Sequence, residues 1–122
     1  MAQEHIARVT MTDEPCDDGT LVRLAGRLDR RTVADVRLGL HELLLETPGI
    51  VLLDLDEVVV GDATALGLLV ELRRRALRAG SDVRVVAADA RTGRLLRRAR
   101  LSTMLAPTLR GVTPSAALAK AV

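Results

Sequence analysis

Hydrophobic positions along this chain switch repeatedly between a two-residue period and a helical one. IARVTMT (6–12) alternates apolar and polar side chains as a half-exposed strand does, and TLVRLAG (20–26) resumes the alternation. Between them lies DEPCDDG (13–19), turn chemistry that closes on Asp-Gly, so the two strands are expected to form a hairpin. TVADVRLGLHELLLE (32–46) sets Val33, Val36, Leu40, Leu43 and Leu44 at helical spacing, with Thr32 as N-cap and Pro48-Gly49 as the stop. GIVLLDL (49–55) is almost continuously apolar, the mark of a strand buried on both faces. A helix over 62–79, closed by Gly80, leads to a second buried strand, DVRVVAA (82–88), and a helix over 91–101. MLAPT (104–108) reads as a short edge strand that tolerates Pro107, and TPSAALAKA (113–121) as a C-terminal helix with Thr at N-cap and Pro at N1.

Strands alternating with helices imply an α/β fold with a mostly parallel sheet, made mixed by the opening hairpin, and with the helices packed against it. The 122 residues suit one domain spanning 1–122, and neither a repeat nor an interdomain linker interrupts them. In such sheets function gathers at the carboxyl ends of strands, which points to Asp29, Asp89 and above all residues 54–67.

Composition narrows the functional classes. With 48% hydrophobic and 28% charged residues the chain is globular, and no apolar run reaches the length of a membrane span. The N-terminal residues lack a secretory signal pattern, and Cys16 is the single cysteine, so a cytoplasmic, membrane-free setting without disulfides is expected. Phe, Trp and Tyr are absent, so the core must come from Leu, Val, Ile, Ala and Met. Net charge is only +2, with all but Lys120 of the eighteen basic residues being arginine. Acids are interspersed and aromatic stacking platforms are lacking, which argues against a nucleic-acid partner. The densest basic cluster, RTGRLLRRAR (91–100), projects Arg94, Arg97 and Arg98 on one face and Leu95, Leu96 and Ala99 on another, a solvated helix face.

Four constellations carry candidate chemistry. IVLLDLDEV (50–58) puts Asp54 and Asp56 after an apolar strand, similar to the nucleophile motif of haloacid-dehalogenase-type phosphatases. That strand opens those enzymes but comes third here, and neither a phosphoryl-holding lysine nor a downstream acidic pair for Mg²⁺ follows. The acidic turn Asp13, Glu14, Asp17 and Asp18 lacks the spacing, inner glycine and distal glutamate of a calcium loop. His5, His41 and Cys16 give no zinc spacing, and neither a catalytic triad nor a phosphate loop is legible, so neither metal nor cofactor is expected.

The fourth is GDATALG (61–67), where a carboxylate and a hydroxyl sit at a strand-to-helix handover. Asp62 can cap the helix by accepting a backbone N–H from Thr64 or Ala65. At 100° per residue, Ala65, Leu66, Leu69, Leu72, Ala76 and Leu77 fall on one apolar arc. Thr64 lies opposite, in line with Leu68, Glu71 and Arg75, an exposed stripe that reads as a contact patch. Arg73 falls inside the apolar arc and must snorkel or meet a carboxylate.

LVRLAGRLD (21–29), IVLLDLDEVVVGDATALGLLVEL (50–72) and AGSDVRVVAADARTGRLLRRARL (79–101) together resemble a STAS domain, and more narrowly the bacterial anti-sigma-factor antagonists. The likeness spans about residues 6–109 and rests on Gly-x-Leu-Asp at Gly26 to Asp29 and on Asp62-Ala63-Thr64-Ala65-Leu66-Gly67. It implies a single STAS-like domain that is not an enzyme. In its unphosphorylated form such a protein binds an anti-sigma factor that is also a serine/threonine kinase, and so frees a sigma factor. Phosphorylation of the hydroxyl matched by Thr64 abolishes binding, and a serine/threonine phosphatase restores it. Asp62 is then the acid beside the phosphoacceptor and Asp29 part of the same docking surface, joined by the Leu68, Glu71 and Arg75 stripe. Threonine stands where serine is commoner, and Ala65 where glycine is usual, which is expected to set a methyl close to the modified group. The resemblance also leaves open a non-phosphorylated scaffold or a transport-system subunit.

Overall fold

The computed structural model describes residues 8–47 and 49–105. Backbone pairing, rather than burial of side chains, defines its first strand. Strand β1 (Val9–Cys16) pairs antiparallel with β2 (Gly19–Leu28), from Val9 opposite Gly26 down to Cys16 opposite Gly19. The expected hairpin is present, but its turn is only Asp17-Asp18; Asp13, Glu14 and Pro15 belong to the strand. An edge strand bathed by water on both faces needs no apolar alternation, so polar residues extend it. Glu14 contributes directly, accepting from Arg23 across the pair at 2.6 Å.

Helix α1 (Val33–Glu46) leads into β3 (Ile50–Val60), α2 (Ala63–Arg78) into β4 (Val83–Ala88), and α3 (Ala90–Arg98) follows. Sheet order is β1-β2-β3-β4, with β2–β3 and β3–β4 parallel, so the mixed, mostly parallel sheet is as expected. Beyond α3, Ser102–Met104 form a 3₁₀ turn and Leu105 makes one parallel bridge to Val85. The rest of the expected edge strand at 104–108, and the helix at 113–121, lie outside the described residues.

Strand β3 runs five residues past the expected end at Leu55. One extra β3 residue is accommodated where the register passes from Arg23–Asp54 to Ala25–Glu57, a bulge that interrupts the apolar run and then lets pairing resume through Val60. Asp54 and Asp56 therefore lie inside the strand. The Asp54 carboxylate accepts from the Asp56 N–H at 3.0 Å and sits 3.5 Å from Arg23 Nε.

The core is aliphatic throughout: Val22, Leu24, Leu53, Leu55 and Val85 from the sheet meet Val36 and Leu40 of α1, Leu69 and Leu72 of α2, and Leu96 of α3. A smaller cluster of Leu21, Leu52 and Val86 occupies the other sheet face. Each fully buried leucine contributes about 1.5–3 kcal/mol, which lets a chain without aromatic residues hold a stable centre.

Helix α2 departs from its projected orientation. Ala65, Leu69, Leu72 and Ala76 are buried as expected, but Leu77 is 52% exposed, Leu66 is half-buried, and Leu68 is 1% exposed. The helix packs against α1 as well as the sheet, and this second neighbour rotates its buried arc toward Leu68. Arg73 does meet a carboxylate: its Nε donates to Asp82 at 3.1 Å and its Nη1 to Thr103 at 2.8 Å. Burial works against the charged form of Asp82, yet donors from Arg73, the Val83 N–H and Arg84 outweigh it and hold its pKa below the ordinary value.

Candidate functional site

Parallel register assembles the site. Leu28 and Val60 are partners at the ends of β2 and β3, and the Gly61 N–H donates to the Leu28 carbonyl at 2.9 Å. The turns that follow the two strands thus leave side by side, at the carboxyl edge of the sheet. A Cβ on Gly61 would lie 2.9 Å from Asp29 Cβ and 3.0 Å from Arg27 Nε, so glycine is what lets the turns touch. Gly26, earlier in β2, is needed for a different approach: its φ is +129°, and a side chain there would collide with the Arg8 carbonyl where β1 begins.

The turn after β2 is tied by its own side chains. Thr32 stands at the N-cap position of α1 but, contrary to expectation, makes no side-chain cap. Its hydroxyl donates to the Arg27 carbonyl at 2.8 Å and accepts from the Asp29 N–H at 3.0 Å. Asp29 accepts from the Arg31 N–H at 2.8 Å and from Arg27 Nε at 3.1 Å. Asp29 is thus a half-buried brace for a turn that exposes Arg30 and Arg31.

Asp62 joins the two turns. Its Oδ1 caps α2, accepting from the Thr64 N–H at 3.0 Å and from the Thr64 hydroxyl; its Oδ2 accepts from the Arg30 N–H at 3.1 Å. The Thr64 hydroxyl, then the Arg30 N–H, are the main causes holding the Asp62 pKa below its ordinary value. Thr64 itself is exposed. The result is a solvent-facing hydroxyl on the second residue of a helix, held by a carboxylate that stays ionised.

Neighbouring residues divide into those that share this face and those that do not. Arg75 is exposed in line with Thr64. Glu71 is half-exposed and engaged with α1: Arg37 Nε donates to it at 3.1 Å, and His41 Nε2 lies 3.2 Å away without hydrogen-bond alignment. Leu68, expected as the exposed leucine of this stripe, is in the core and presents nothing to a partner in this conformation. Ala65 is fully buried, so its methyl packs inward and does not crowd the Thr64 hydroxyl as expected. Gly67 takes the open position instead, with no atom within 4 Å of where its Cβ would be.

Asp89, the third strand-end carboxylate, caps α3 through the Thr92 N–H at 2.7 Å, and that bond is the first cause of its lowered pKa. Arg91 of the same helix donates to the Val60 carbonyl at 3.3 Å, bringing this end of α3 to the Gly61 turn. The parts of Arg30 and Gly61 escaped the sequence reading because they are backbone contacts between segments some thirty residues apart, and Thr32, expected as an N-cap, instead ties its own turn through its hydroxyl. Among the described residues no group of three or more His, Cys, Asp or Glu could hold a metal ion, and no helix is long and apolar enough to cross a membrane.

The fold is similar to that of known structures. An anti-sigma factor antagonist from Mycobacterium paratuberculosis is similar at a TM-score of 0.72 and 21% identity, over 91% of this chain and 92% of that one. The anti-sigma factor antagonist SpoIIAA in its unphosphorylated form is similar at 0.69 and 16%, over 92% and 96%. The Bacillus cell fate determinant SpoIIAA in the phosphorylated form is similar at 0.66 and 13%, over 93% and 100%. No curated protein matches the chain. The STAS-domain family model matches residues 9–116, and with the α/β architecture and strand-end site described above it shows that this chain belongs to the STAS-domain family.

Proposed function

We propose that this protein is an anti-sigma-factor antagonist that works by partner switching and catalyses nothing itself. Unphosphorylated, it docks an anti-sigma factor with serine/threonine kinase activity and so releases a sigma factor; phosphorylated at Thr64, it lets go, and a serine/threonine phosphatase resets it. The observation that carries the reading is the exposed Thr64 hydroxyl held by Asp62, itself fixed by the Arg30 N–H. The structural neighbours, anti-sigma factor antagonists, support it.

The chemistry follows from that arrangement. The Thr64 Oγ1 attacks the γ-phosphorus of an ATP bound by the kinase, the bond to the β-phosphate oxygen breaks, and ADP leaves. Such transfers run through a loose transition state in which positioning matters more than a strong base. A carboxylate with a lowered pKa suits that role, orienting the hydroxyl, while the proton passes to a base of the kinase. Asp29 acts at one remove by bracing the turn whose Arg30 N–H holds Asp62. On this reading Asp29, Asp62, Thr64, Glu71 and Arg75 contribute to the docking face, with Leu68 supporting it from beneath.

Phosphate on Thr64 affects fold and interface differently. At an exposed helix start, backbone N–H groups and the helix dipole favour an anion by about 0.3–1 kcal/mol, and repulsion from Asp62 opposes this. The fold changes little. At an interface shaped for a hydroxyl, a charge of about −1.5 to −2 must be desolvated without a partner, which costs several kcal/mol. A loss of about a hundredfold in affinity is expected, since about 1.4 kcal/mol is tenfold.

The test is incubation with kinase-class anti-sigma factors and Mg-ATP, read by intact mass and peptide mapping. One phosphate on Thr64, absent from Thr64→Ala, is expected, and phosphoprotein or Thr64→Glu should melt within a few degrees of wild type while losing the kinase. Equal modification of Thr64→Ala, or undiminished binding by the phosphoprotein, overturns the reading. The phosphatase alternative draws no support from Asp54, which is built into a mid-strand bulge and engaged with Asp56 and Arg23.

A further inference from the structure

We propose that Arg74, Arg75 and Arg78 on α2 form a cationic ladder that docks an acidic surface of the protein partner; this rests on the functional reading above and assigns the partner's chemistry. Six of the sixteen arginines among the described residues have work inside the domain. Arg73 and Arg84 hold Asp82, Arg37 holds Glu71, Arg23 holds Glu14, Arg27 holds Asp29, and Arg91 reaches the Val60 carbonyl. Arg74, Arg75 and Arg78 are exposed and, among the described residues, pair with no carboxylate. Arg75 and Arg78 suit the last turn of a helix, where cations are favoured, but Arg74 precedes that turn, and Arg74 with Arg78 is a like-charged i, i+4 pair that disfavours the helix. Glu71, the nearest carboxylate on this helix, is held by Arg37, whereas an acidic partner offsets the repulsion.

The ladder also has a shape. Gly67, Val70, Glu71 and the three arginines line a shallow concavity of about 210 Å³. Its open floor is Gly67, where an approaching chain meets no side chain. Thr64 shares this face, so a partner lying along α2 from Thr64 to Arg78 spans about 21 Å of helix at 1.5 Å per residue. The occupant that fits is a carboxylate-bearing protein segment. Nucleic acid fits less well, since the chain has no aromatic residue to stack a base. Unpaired rim charges of this kind act chiefly on the rate of encounter.

Two probes test the ladder: fluorescein-labelled poly-L-glutamate, and the kinase-class anti-sigma factor identified in the phosphorylation assay. The triple variant Arg74→Gln/Arg75→Gln/Arg78→Gln is compared with Arg94→Gln/Arg97→Gln/Arg98→Gln on α3, after thermal melts show both folded. Poly-L-glutamate is expected to bind wild type and the α3 variant alike, and the ladder variant about fivefold more weakly or worse at low salt, the gap closing near 1 M salt where the screening length is about 3 Å. The association rate of the anti-sigma factor should fall about tenfold for the ladder variant alone. Equal poly-L-glutamate binding by the ladder variant, an equal loss in the α3 variant, or tighter binding of a duplex DNA of matched charge overturns the proposal. The two readings fail separately. An anti-sigma factor that binds the ladder variant as fast as wild type sinks the ladder and spares Thr64. If no kinase-class factor binds wild type, the functional reading falls and the polyglutamate titration still decides the ladder.

Discussion

Replacing Gly67 by alanine should stabilise the free domain while weakening it as a binding partner. Gly67 is the fifth residue of the sixteen-residue α2, well inside the helix. Glycine there is about 0.8–1 kcal/mol less favourable than alanine, because it loses more backbone freedom on folding. Two circumstances could overturn that gain, and neither applies. The residue is not among those with positive φ, so alanine adopts its backbone without strain. The added methyl would meet no atom within 4 Å, so it neither clashes nor fills a cavity. The whole propensity difference should therefore appear as stability, raising Tm by about 4–8 °C for a domain near 100 residues. Urea unfolding should show a higher midpoint with an unchanged slope, since the surface exposed on unfolding hardly changes. In the same preparation, affinity for the kinase-class anti-sigma factor should drop about tenfold, because the methyl occupies the floor on which the partner lies. A neutral or lowered midpoint would refute the propensity argument. A raised midpoint with unchanged affinity would show that no partner approaches α2 at Gly67.

Leu68→Ala tests the reorientation of α2: truncating a side chain 1% exposed should cost about 2–5 kcal/mol and lower Tm by roughly 10 °C or more. A variant with unchanged Tm and weakened docking would instead place Leu68 at the surface. Asp82→Asn should cost about 1–3 kcal/mol at pH 7, because the donors from Arg73, Arg84 and the Val83 N–H lose an anionic acceptor. As the folded pKa of Asp82 is depressed, its contribution is complete above the unfolded carboxylate value near 4 and fades as pH falls through the folded value. Urea midpoints of wild type and Asp82→Asn should hence converge below about pH 4, and a constant gap down to pH 2 would exclude the mechanism.

Local pattern alone determined much of this protein. Period-two and helical spacings placed the strands and helices in their observed order, and continuous apolar runs marked β3 and β4 as strands with buried side chains. The motif at 61–67 identified Asp62 as a cap and Thr64 as an exposed hydroxyl, because N-capping is settled within three residues of chain. Element ends were harder where pairing rather than burial decides: β1 continues through polar residues to Cys16, and β3 passes a bulge to reach Val60. What only the tertiary structure decided is which helix faces are free. Projection treats a helix as having one buried side, but α2 has two neighbours, so Leu68 turned inward, Glu71 turned to Arg37, and Gly67 with the arginine ladder was left to solvent. The link between Asp62 and the Arg30 N–H is of the same kind. It depends on Leu28 and Val60 ending in register, and a parallel pairing across thirty-two residues leaves no periodic trace in either segment.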